Sequence, residues 1–404
     1  MQLTSMAWRN VWRNKRRSWV TIIAMALGLW VMIGYAGLVR GYLRQMERQI
    51  LDVEVGDVQV HAPGFRDDPS LYRRIDDAAA IGERLGAAGF RASARLLGAG
   101  LAAAEDNSSG AQLIGVDVAK DAQVSAVHDA VDKGAWLDPK EPAGVVVGRY
   151  LARTLELAPG DELVLLSQAS DGSMANDLYR VRGILGPVGG GVDRGGVFLT
   201  EAAFRELMGV PSGAHRIIVR APEGMTLPAA KAGVVAAAGQ AEVMTWRELL
   251  PVLAQMFDAV MGAMTMGFLV VFVAVGIVLL NTMLMAVFER IREFGVLKAI
   301  GFGPGAVLGL VLLESAVQTA LGVGIGAGLS LPTVWYLQRY GLQMGPDEGI
   351  TIAGVTTSRT WYAAPNAETW LLPIAVLLFV VGAAVIYPAV KAALIRPIEA
   401  IRHR

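Results

Sequence analysis

Cysteine is absent from all 404 residues. That excludes disulfide frameworks, thiol nucleophiles and cysteine-based zinc sites. The four histidines, His61, His128, His215 and His403, lie far apart in sequence and offer no spacing for a histidine-rich metal centre. Charge is scarce, at 18%, and it cancels: 36 Lys+Arg stand against 36 Asp+Glu. Neither a basic nucleic-acid binder nor an acidic solvating tail is expected from that balance. A G-x-x-x-x-G-K-S/T loop, whose backbone N–H groups and lysine would cradle phosphates, is also missing. The chain is therefore not expected to hydrolyse nucleotide. No nucleophile–histidine–acid order stands out, so no catalytic residue and no metal ligand is assigned.

What is plentiful is apolar sequence: 54% of residues are hydrophobic and the mean hydropathy is +0.45. A hydrocarbon core of about 30 Å needs roughly 20 apolar helical residues. Four stretches qualify. Ser18 to Val39 lies between Arg17 and Arg40, Ala259 to Phe288 between Asp258 and Glu289, and Thr369 to Val390 between Glu368 and Lys391; Val307 to Leu337 is interrupted only by Glu314. The basic flanks (Arg9, Arg13, Lys15, Arg16 and Arg17; Arg290, Arg292 and Lys298; Lys391, Arg396, Arg402 and Arg404) all fall on one side of a four-span topology, which makes that side cytoplasmic. The first stretch lacks a small-residue cleavage site and reads as a retained anchor rather than a signal peptide.

The expected organisation is an α-helical membrane protein with four transmembrane helices and an α+β domain inserted between the first two. Residues 1–17 form a basic cytoplasmic helix, 18–51 the first transmembrane helix and stalk, and 52–250 the outer domain. Residues 251–288 form a stalk and the second helix, 289–301 a cytoplasmic link, 302–340 the third helix, 341–368 a short outer loop with Pro346 and Gly349, 369–390 the fourth helix and 391–404 a tail. In the domain, strands are expected at 58–60, 111–116, 145–147, 162–166, 178–185 and 217–220, and helices at 149–157 and near 76–88 and 228–239. No proline interrupts Ser18 to Leu51, and the second helix can start just after Pro251. Both runs outlast the bilayer by several turns, either as a stalk under the domain or as tilted helix.

Several shorter features carry their own expectations. Phe288, Ile291 and Phe294 share one helical face of the cytoplasmic link, while Gly295 and Gly301 permit turns; the link is either a docking helix for a cytoplasmic partner or a loop that only anchors topology. Glu314 is the one carboxylate well inside a span. It is a functional candidate or an interfacial partner of Lys298 or an arginine. Gly322, Gly324, Gly326 and Gly328 give overlapping G-x-x-x-G spacings suited to close helix packing. Met256, Met261, Met264, Met266, Met283 and Met285 could form an adaptable acyl-chain surface, or simply pack. The stretch from Gly186 to Gly191 reads as a flexible turn. Asp67-Asp68 and Asp76-Asp77 read as solvated turns or helix starts.

Three segments together resemble a known family. They are Glu289-Arg290-Ile291-Arg292-Glu293-Phe294-Gly295-Val296-Leu297-Lys298-Ala299-Ile300-Gly301, the tail from Pro388 to Arg402, and the basic start from Ala7 to Ser18. They resemble the FtsX-like ABC transporter permeases of the MacB-like, type VII superfamily. Gly56-Asp57-Val58-Gln59-Val60-His61, Val147-Gly148-Arg149-Tyr150-Leu151-Ala152 and Leu157-Ala158-Pro159-Gly160-Asp161-Glu162-Leu163 are similar to the lipoprotein-releasing LolC/LolE-type branch.

The resemblance implies a permease in the bacterial inner membrane, with its large domain in the periplasm. A dimeric ATPase would bind ATP and Mg, and this chain would bind no cofactor of its own. A second permease copy, identical or LolC/LolE-like, would complete the assembly. Glu289, Arg290, Arg292, Glu293, Phe294, Gly295 and Lys298 would couple to the ATPase. The substrate would be a lipoprotein near membrane lipid. On residue type rather than resemblance, Met256, Met261 and Met264 are the candidates to face the substrate. A periplasmic carrier is implied too, but the loop matching the LolC-type hook, Ser167 to Asp177, has no proline. The alternatives are MacB-like efflux of peptides or amphiphiles, whose ATPase is usually fused ahead of the first span, and an FtsX-like transmembrane regulator of an extracytoplasmic hydrolase.

Overall fold

The computed structural model describes residues 2–343, 350–352, 355–357 and 360–395. The tail from Arg396 to Arg404, with His403, and the loop positions Pro346 and Gly349 lie outside the described residues.

Along the chain, helix α1 (Gln2–Arg13) breaks at Asn14, and α2 follows (Lys15–Ile50). A π-turn (Leu51–Val55) leads into strand β1 (Val58–His61). Next come α3 (Ala78–Ala87), β2 (Arg91–Ala104), β3 (Asn107–Val116), α4 (Val118–Asp121), β4 (Val131–Gly134) and β5 (Gly144–Val147). These are followed by α5 (Arg149–Thr154), β6 (Glu162–Gln168), β7 (Met174–Leu185), α6 (Gly190–Gly195), β8 (Gly196–Thr200) and α7 (Glu201–Met208). The domain ends with β9 (Arg216–Arg220), α8 (Leu227–Ala238), β10 (Glu242–Thr245) and α9 (Trp246–Leu249). Then come α10 (Pro251–Glu289), α11 (Ile291–Ala299), α12 (Pro304–Tyr340), four short strands β11 (Leu342–Gln343), β12 (Ile350–Ile352), β13 (Val355–Thr357) and β14 (Thr360–Trp361), and α13 (Ala367–Leu394).

The chain divides into two compact units. The helical unit is built from Met1–Arg44, Phe257–Pro346 and Arg359–Arg404, the sheet unit from Gln45–Met256 with Asp347–Ser358.

In the helical unit, four helices are long and apolar enough to cross a membrane: α2 with the following turn, α10, α12 and α13. Their length follows from uninterrupted apolar sequence, and their ends from punctuation. Pro304 opens α12 at a position where its missing N–H costs nothing. Asn366 caps α13, its side chain accepting from the Thr369 amide. Helices α2 and α10 have 36 and 39 residues, about 54 Å and 58 Å at 1.5 Å per residue. Helix α13 runs a turn further than expected, because Lys391 to Leu394 continue the helix past its charge. Two glycines of the α12 stripe, Gly322 and Gly326, pack within the chain, while Gly324 and Gly328 do not. A Cβ on Gly322 would meet Met25 at 2.9 Å and one on Gly326 would meet the Ala26 carbonyl at 2.8 Å, so only glycine lets α12 approach α2 this closely. Arg40 is buried and donates to Glu368 Oε2 at 2.5 Å and Asn366 Oδ1 at 3.0 Å, tying α2 to the start of α13.

In the sheet unit, the path runs β10-β1-β9-β2-β3-β8-β5-β7-β4, and β6 pairs with both β2 and β7. Strands β2, β3, β8, β5, β7 and β6 therefore close into a ring, which removes its exposed edges. The ring's core holds Leu113, Val147, Leu165, Val181, Leu199 and Phe204. Strand β2 serves both parts: Arg91–Arg95 pair with β9, while Arg95–Ala104 pair with β3. Helices α3 and α8 pack beside β1 and β9 through Ile81, Leu85, Val234, Val60 and Ile217.

Every strand and helix expected for the domain is present, but β2, β4, β8 and β10 were not anticipated. Of the stretch Gly186 to Gly191 expected as a turn, 186–189 carry no helix or strand, while Gly190 and Gly191 open a short helix, Gly190–Gly195. Asp193 orders it by accepting from the Val188 and Gly189 amides at 3.0 and 3.2 Å and pairing with Arg149 at 3.0 Å. The loop compared with the LolC-type hook is a tight turn over residues 169–173 between β6 and β7.

Candidate coupling site and its anchors

Helix α11 is short because a bend at Arg290 precedes it and Gly301, at φ +101°, follows it. One side chain fixes its inner face. Phe294 is 1% exposed and packs among Ala7 of α1, Val287 of α10, Val307 and Leu310 of α12, and Ala389 of α13. Two details of the sequence reading are corrected here. Phe288 does not share the buried face: it is exposed, with Lys391 Nζ 4.6 Å above its ring. Gly295 is no turn but a buried residue inside the helix.

Ion pairs ring this contact. Arg13 grips Glu293 with two bonds, at 2.8 and 3.1 Å, and Arg17 pairs with Glu289 at 2.6 Å. Arg290 pairs with Glu293 at 2.8 Å and with Glu314 at 2.9 Å, and its guanidinium lies 5.2 Å from the Phe294 ring. Burial pushes Glu293 upward, but the bonds and charges of Arg13 and Arg290 outweigh it and leave the carboxyl below its usual range. Lys298 donates to the backbone carbonyls of Ala393 and, at 2.8 Å, Ile395, supplying donors at the end of α13.

Beside these pairs lies a cavity of about 230 Å³, lined by Asn10, Arg17, Glu289, Arg290, Glu314 and Gln318. Asn10 Nδ2 and Gln318 Oε1 are buried without a protein partner, and the space is polar and large enough for water to bond them.

Of the expected coupling residues, then, Glu289, Arg290, Glu293, Phe294 and Lys298 bind other parts of this chain. Arg292 is exposed. Two residues missed in the sequence share its outward side: Val296 and Ile300, 52% and 69% exposed. The signal was available, since apolar residues one turn apart from Arg292 in a charged loop are unusual. The expected partner for Glu314 is found in Arg290, not Lys298.

The methionine surface needs correction. Met264 is 0% exposed and sits in the helical core, so it cannot meet a substrate. Met256 and Met261 are half-buried, whereas Met266 and Met285 are exposed.

The sheet unit has its own anchor, where the end of α2 turns into β1. Gly56 carries φ +65°, and a Cβ there would strike Ile218 at 2.5 Å. Arg220 of β9 pairs with Asp52 in the π-turn, lies 3.7 Å from Asp57, and donates to the Val124 carbonyl at 3.2 Å. Asp57 Oδ2 accepts from the Ala221 amide at 2.8 Å. Burial raises the Asp57 carboxyl above its usual range, against the Ala221 bond and the charge of Arg91. The Ala126 amide donates to the Asp52 carbonyl at 2.6 Å. Just before α10, Thr245 and Glu248 form a reciprocal capping box, and Lys231 pairs with Glu248 at 2.6 Å.

Two histidines that looked unrelated in sequence flank one ring. His61 stacks on Phe65 at 5.8 Å, and His215 lies 5.8 Å from Phe65 on a tilted plane. His215 Nδ1 accepts from the Leu97 amide at 3.0 Å, which puts its proton on Nε2, facing the Leu71 carbonyl at 3.3 Å. Burial lowers both imidazoles to about 4, reinforced at His61 by Arg216 and Arg66 and opposed at His215 by the Leu71 bond. Among the described residues, no group of His, Cys, Asp and Glu is arranged to hold a metal ion.

Residues 18–237 match the family model of the MacB-like periplasmic core domain, and residues 264–399 match that of the FtsX-like permease C-terminal region. Among curated proteins, the chain is 25% identical over 289 residues to an uncharacterized ABC transporter permease, MJ1507, of Methanocaldococcus jannaschii, covering 67% of this chain and 65% of that protein. It is 37% identical over 133 residues to an uncharacterized ABC transporter permease, YknZ, of Bacillus subtilis, covering 32% of this chain and 28% of that one. The matches span less than two thirds of either relative's length. Among solved structures, the extracellular domain of the noncanonic ABC-type transporter YknZ from Gram-positive bacteria aligns with TM-score 0.34 and 13% identity, covering 46% of this chain and 98% of that one. The periplasmic region of MacB from Actinobacillus actinomycetemcomitans aligns with TM-score 0.37 and 12% identity, covering 50% and 91%. With both family models matched in order, one spanning the first long helix and the sheet unit and the other the last three, the chain belongs to the MacB-like and FtsX-like ABC transporter permeases, multi-pass membrane proteins with an inserted α/β domain of periplasmic type.

Proposed function

We propose that the chain is the permease subunit of a type VII ABC transporter, driven by a separate dimeric ATPase and paired with a second permease copy. It resides in the bacterial inner membrane and extracts lipoproteins by mechanotransmission. The observation that carries this reading is the two-sided build of α11. Its inner side is fixed by Phe294 and by the pairs of Glu293 with Arg13 and Arg290, while Val296 and Ile300 are exposed beside Arg292. A helix braced behind and apolar in front suits docking in a groove of another protein. Displacement of α11 would reach α1, α10 and α12 through the same residues.

The lipoprotein cargo rests on the sequence likeness of residues 56–61, 147–152 and 157–163 to the lipoprotein-releasing branch. MacB-like efflux of amphiphiles is the second reading. It is favoured by the tight turn at residues 169–173, which offers no extended hook for a carrier. Reconstituting the chain with its ATPase in proteoliposomes loaded with a fluorescent lipoprotein separates the two. ATP-dependent release of the lipoprotein supports extraction. ATP turnover without release, together with movement of a peptide or amphiphile, supports efflux.

A further inference from the structure

The start of the chain has two faces with different chemistry. Arg13 and Arg17 are committed to Glu293 and Glu289. Arg9, Lys15 and Arg16 are exposed and make no ion pair among the described residues. Between these cations runs a ladder of indoles. Trp8 and Trp12 meet edge to face at 5.9 Å, and Trp12 meets Trp19 at 5.9 Å across the break at Asn14. Trp8 and Trp19 are 49% and 41% exposed. Lys15 and Arg16 precede Trp19 by four and three residues on α2, and Arg9 precedes Trp12 by three on α1, so each cation lies beside an indole. Ala7 and Val11 are buried on another face of α1, while Trp8 and Trp19 stay exposed and Trp12 is half-buried.

We propose that this face binds the phosphodiester headgroups of anionic phospholipids in the leaflet nearest the α1–α2 break. Tryptophan sits at the membrane interface because one part of the indole is apolar and its N–H is polar. Three uncancelled cations beside it add attraction to an anionic surface. The binding also reaches the coupling site. Arg13 follows Trp12 directly and Arg17 lies two residues before Trp19, so a headgroup-held ladder keeps both guanidinium groups at Glu293 and Glu289. The proposal rests on the membrane reading but not on the cargo or on the ATPase.

The test uses the full chain in lipid nanodiscs. Tryptophan quenching by brominated phosphatidylglycerol is compared with quenching by brominated phosphatidylcholine at equal mole fraction. The chain has nine tryptophans, so subtracting the signal of W8F/W12F/W19F isolates the ladder. The expected result is ladder quenching at least twofold greater with the anionic lipid, an excess that fades at high salt and disappears in R9Q/K15Q/R16Q. Equal quenching by both lipids, or an excess that survives the triple substitution, overturns the proposal. Should neither lipid quench any tryptophan, the chain is not embedded and the membrane reading falls with it. An intact excess in a protein that binds no ATPase would defeat only the proposed function.

Discussion

The coupling site and the joint at the start of β1 are held in different ways. Around α11, a buried ring lies among ion pairs of two kinds: Arg13 and Glu293 show 53% and 44% of their side chains, whereas Arg290 and Glu314 show only 12% and 11%. At the joint, the polar groups are bound to backbone: Ala126 to the Asp52 carbonyl, Ala221 to the Asp57 carboxylate, Arg220 to the Val124 carbonyl. Exposed ion pairs stabilise little and can break and re-form at small cost, whereas buried donors and acceptors left unpaired cost about 1–3 kcal/mol each.

Four perturbations test that contrast. The largest effect on α11 is expected from Phe294→Ala, which removes its most deeply buried side chain. It should cost about 3–5 kcal/mol of local packing and raise hydrogen exchange throughout residues 291–299 while leaving the sheet unit protected. Protection unchanged in α11 would show that the ion pairs alone suffice.

Acidification should act next, and on the sheet unit. His61 and His215 titrate near 4 when folded and near 6.5 when unfolded. Between those values the unfolded chain binds more protons, so stability is full above about pH 6.5 and falls as pH drops toward 4. The slope is roughly 1.4 kcal/mol per pH unit for each imidazole. Thermal unfolding followed from pH 7 to 4.5 checks this, and H61Q/H215Q should flatten the dependence.

Gly56→Ala probes the joint. At φ +65° and ψ −174° the backbone lies in a region open essentially to glycine alone, which costs about 1–3 kcal/mol for a residue with a Cβ, and the collision with Ile218 adds to it. Lowered thermal stability with intact protection of α11 is the expected pattern.

Glu293→Gln should do least, about 0–1 kcal/mol. Because its folded carboxyl lies below the usual range, its contribution is present above the unfolded value and is lost as pH falls through the folded one. The variant should therefore match the wild type at low pH and differ only above it, as a titration of unfolding midpoints will show.

The helical unit was legible because its signals are long and one-dimensional: uncharged runs, basic flanks, and glycines spaced for a neighbour that proved to be α2. The sheet unit was legible only where β-branched residues announce strands, as in Val145-Val146-Val147. Strand β2, Arg91-Ala92-Ser93-Ala94-Arg95-Leu96-Leu97-Gly98-Ala99-Gly100-Leu101-Ala102-Ala103-Ala104, is rich in alanine and glycine and has no strand propensity of its own. It is a strand because β9, β3 and β6 pair with it, which is tertiary information.

The candidate site divides along the same line. Its helix and charged residues were visible, but charge does not say which way a side chain points. Glu289, Arg290 and Glu293 are tied to other parts of this chain, whereas Val296 and Ile300 stay exposed. Met264 misled for the same reason, since a methionine-rich helix has both a packed and an open side.

The central claim is that the outward side of α11 receives the ATPase. Its most direct test is the affinity of the purified ATPase for the full chain in nanodiscs, measured for the wild type and for V296D/I300D. The two substituted side chains are exposed, so the thermal midpoint should hold. The account predicts at least a hundredfold loss of affinity at that unchanged midpoint. Wild-type affinity in the variant would contradict it.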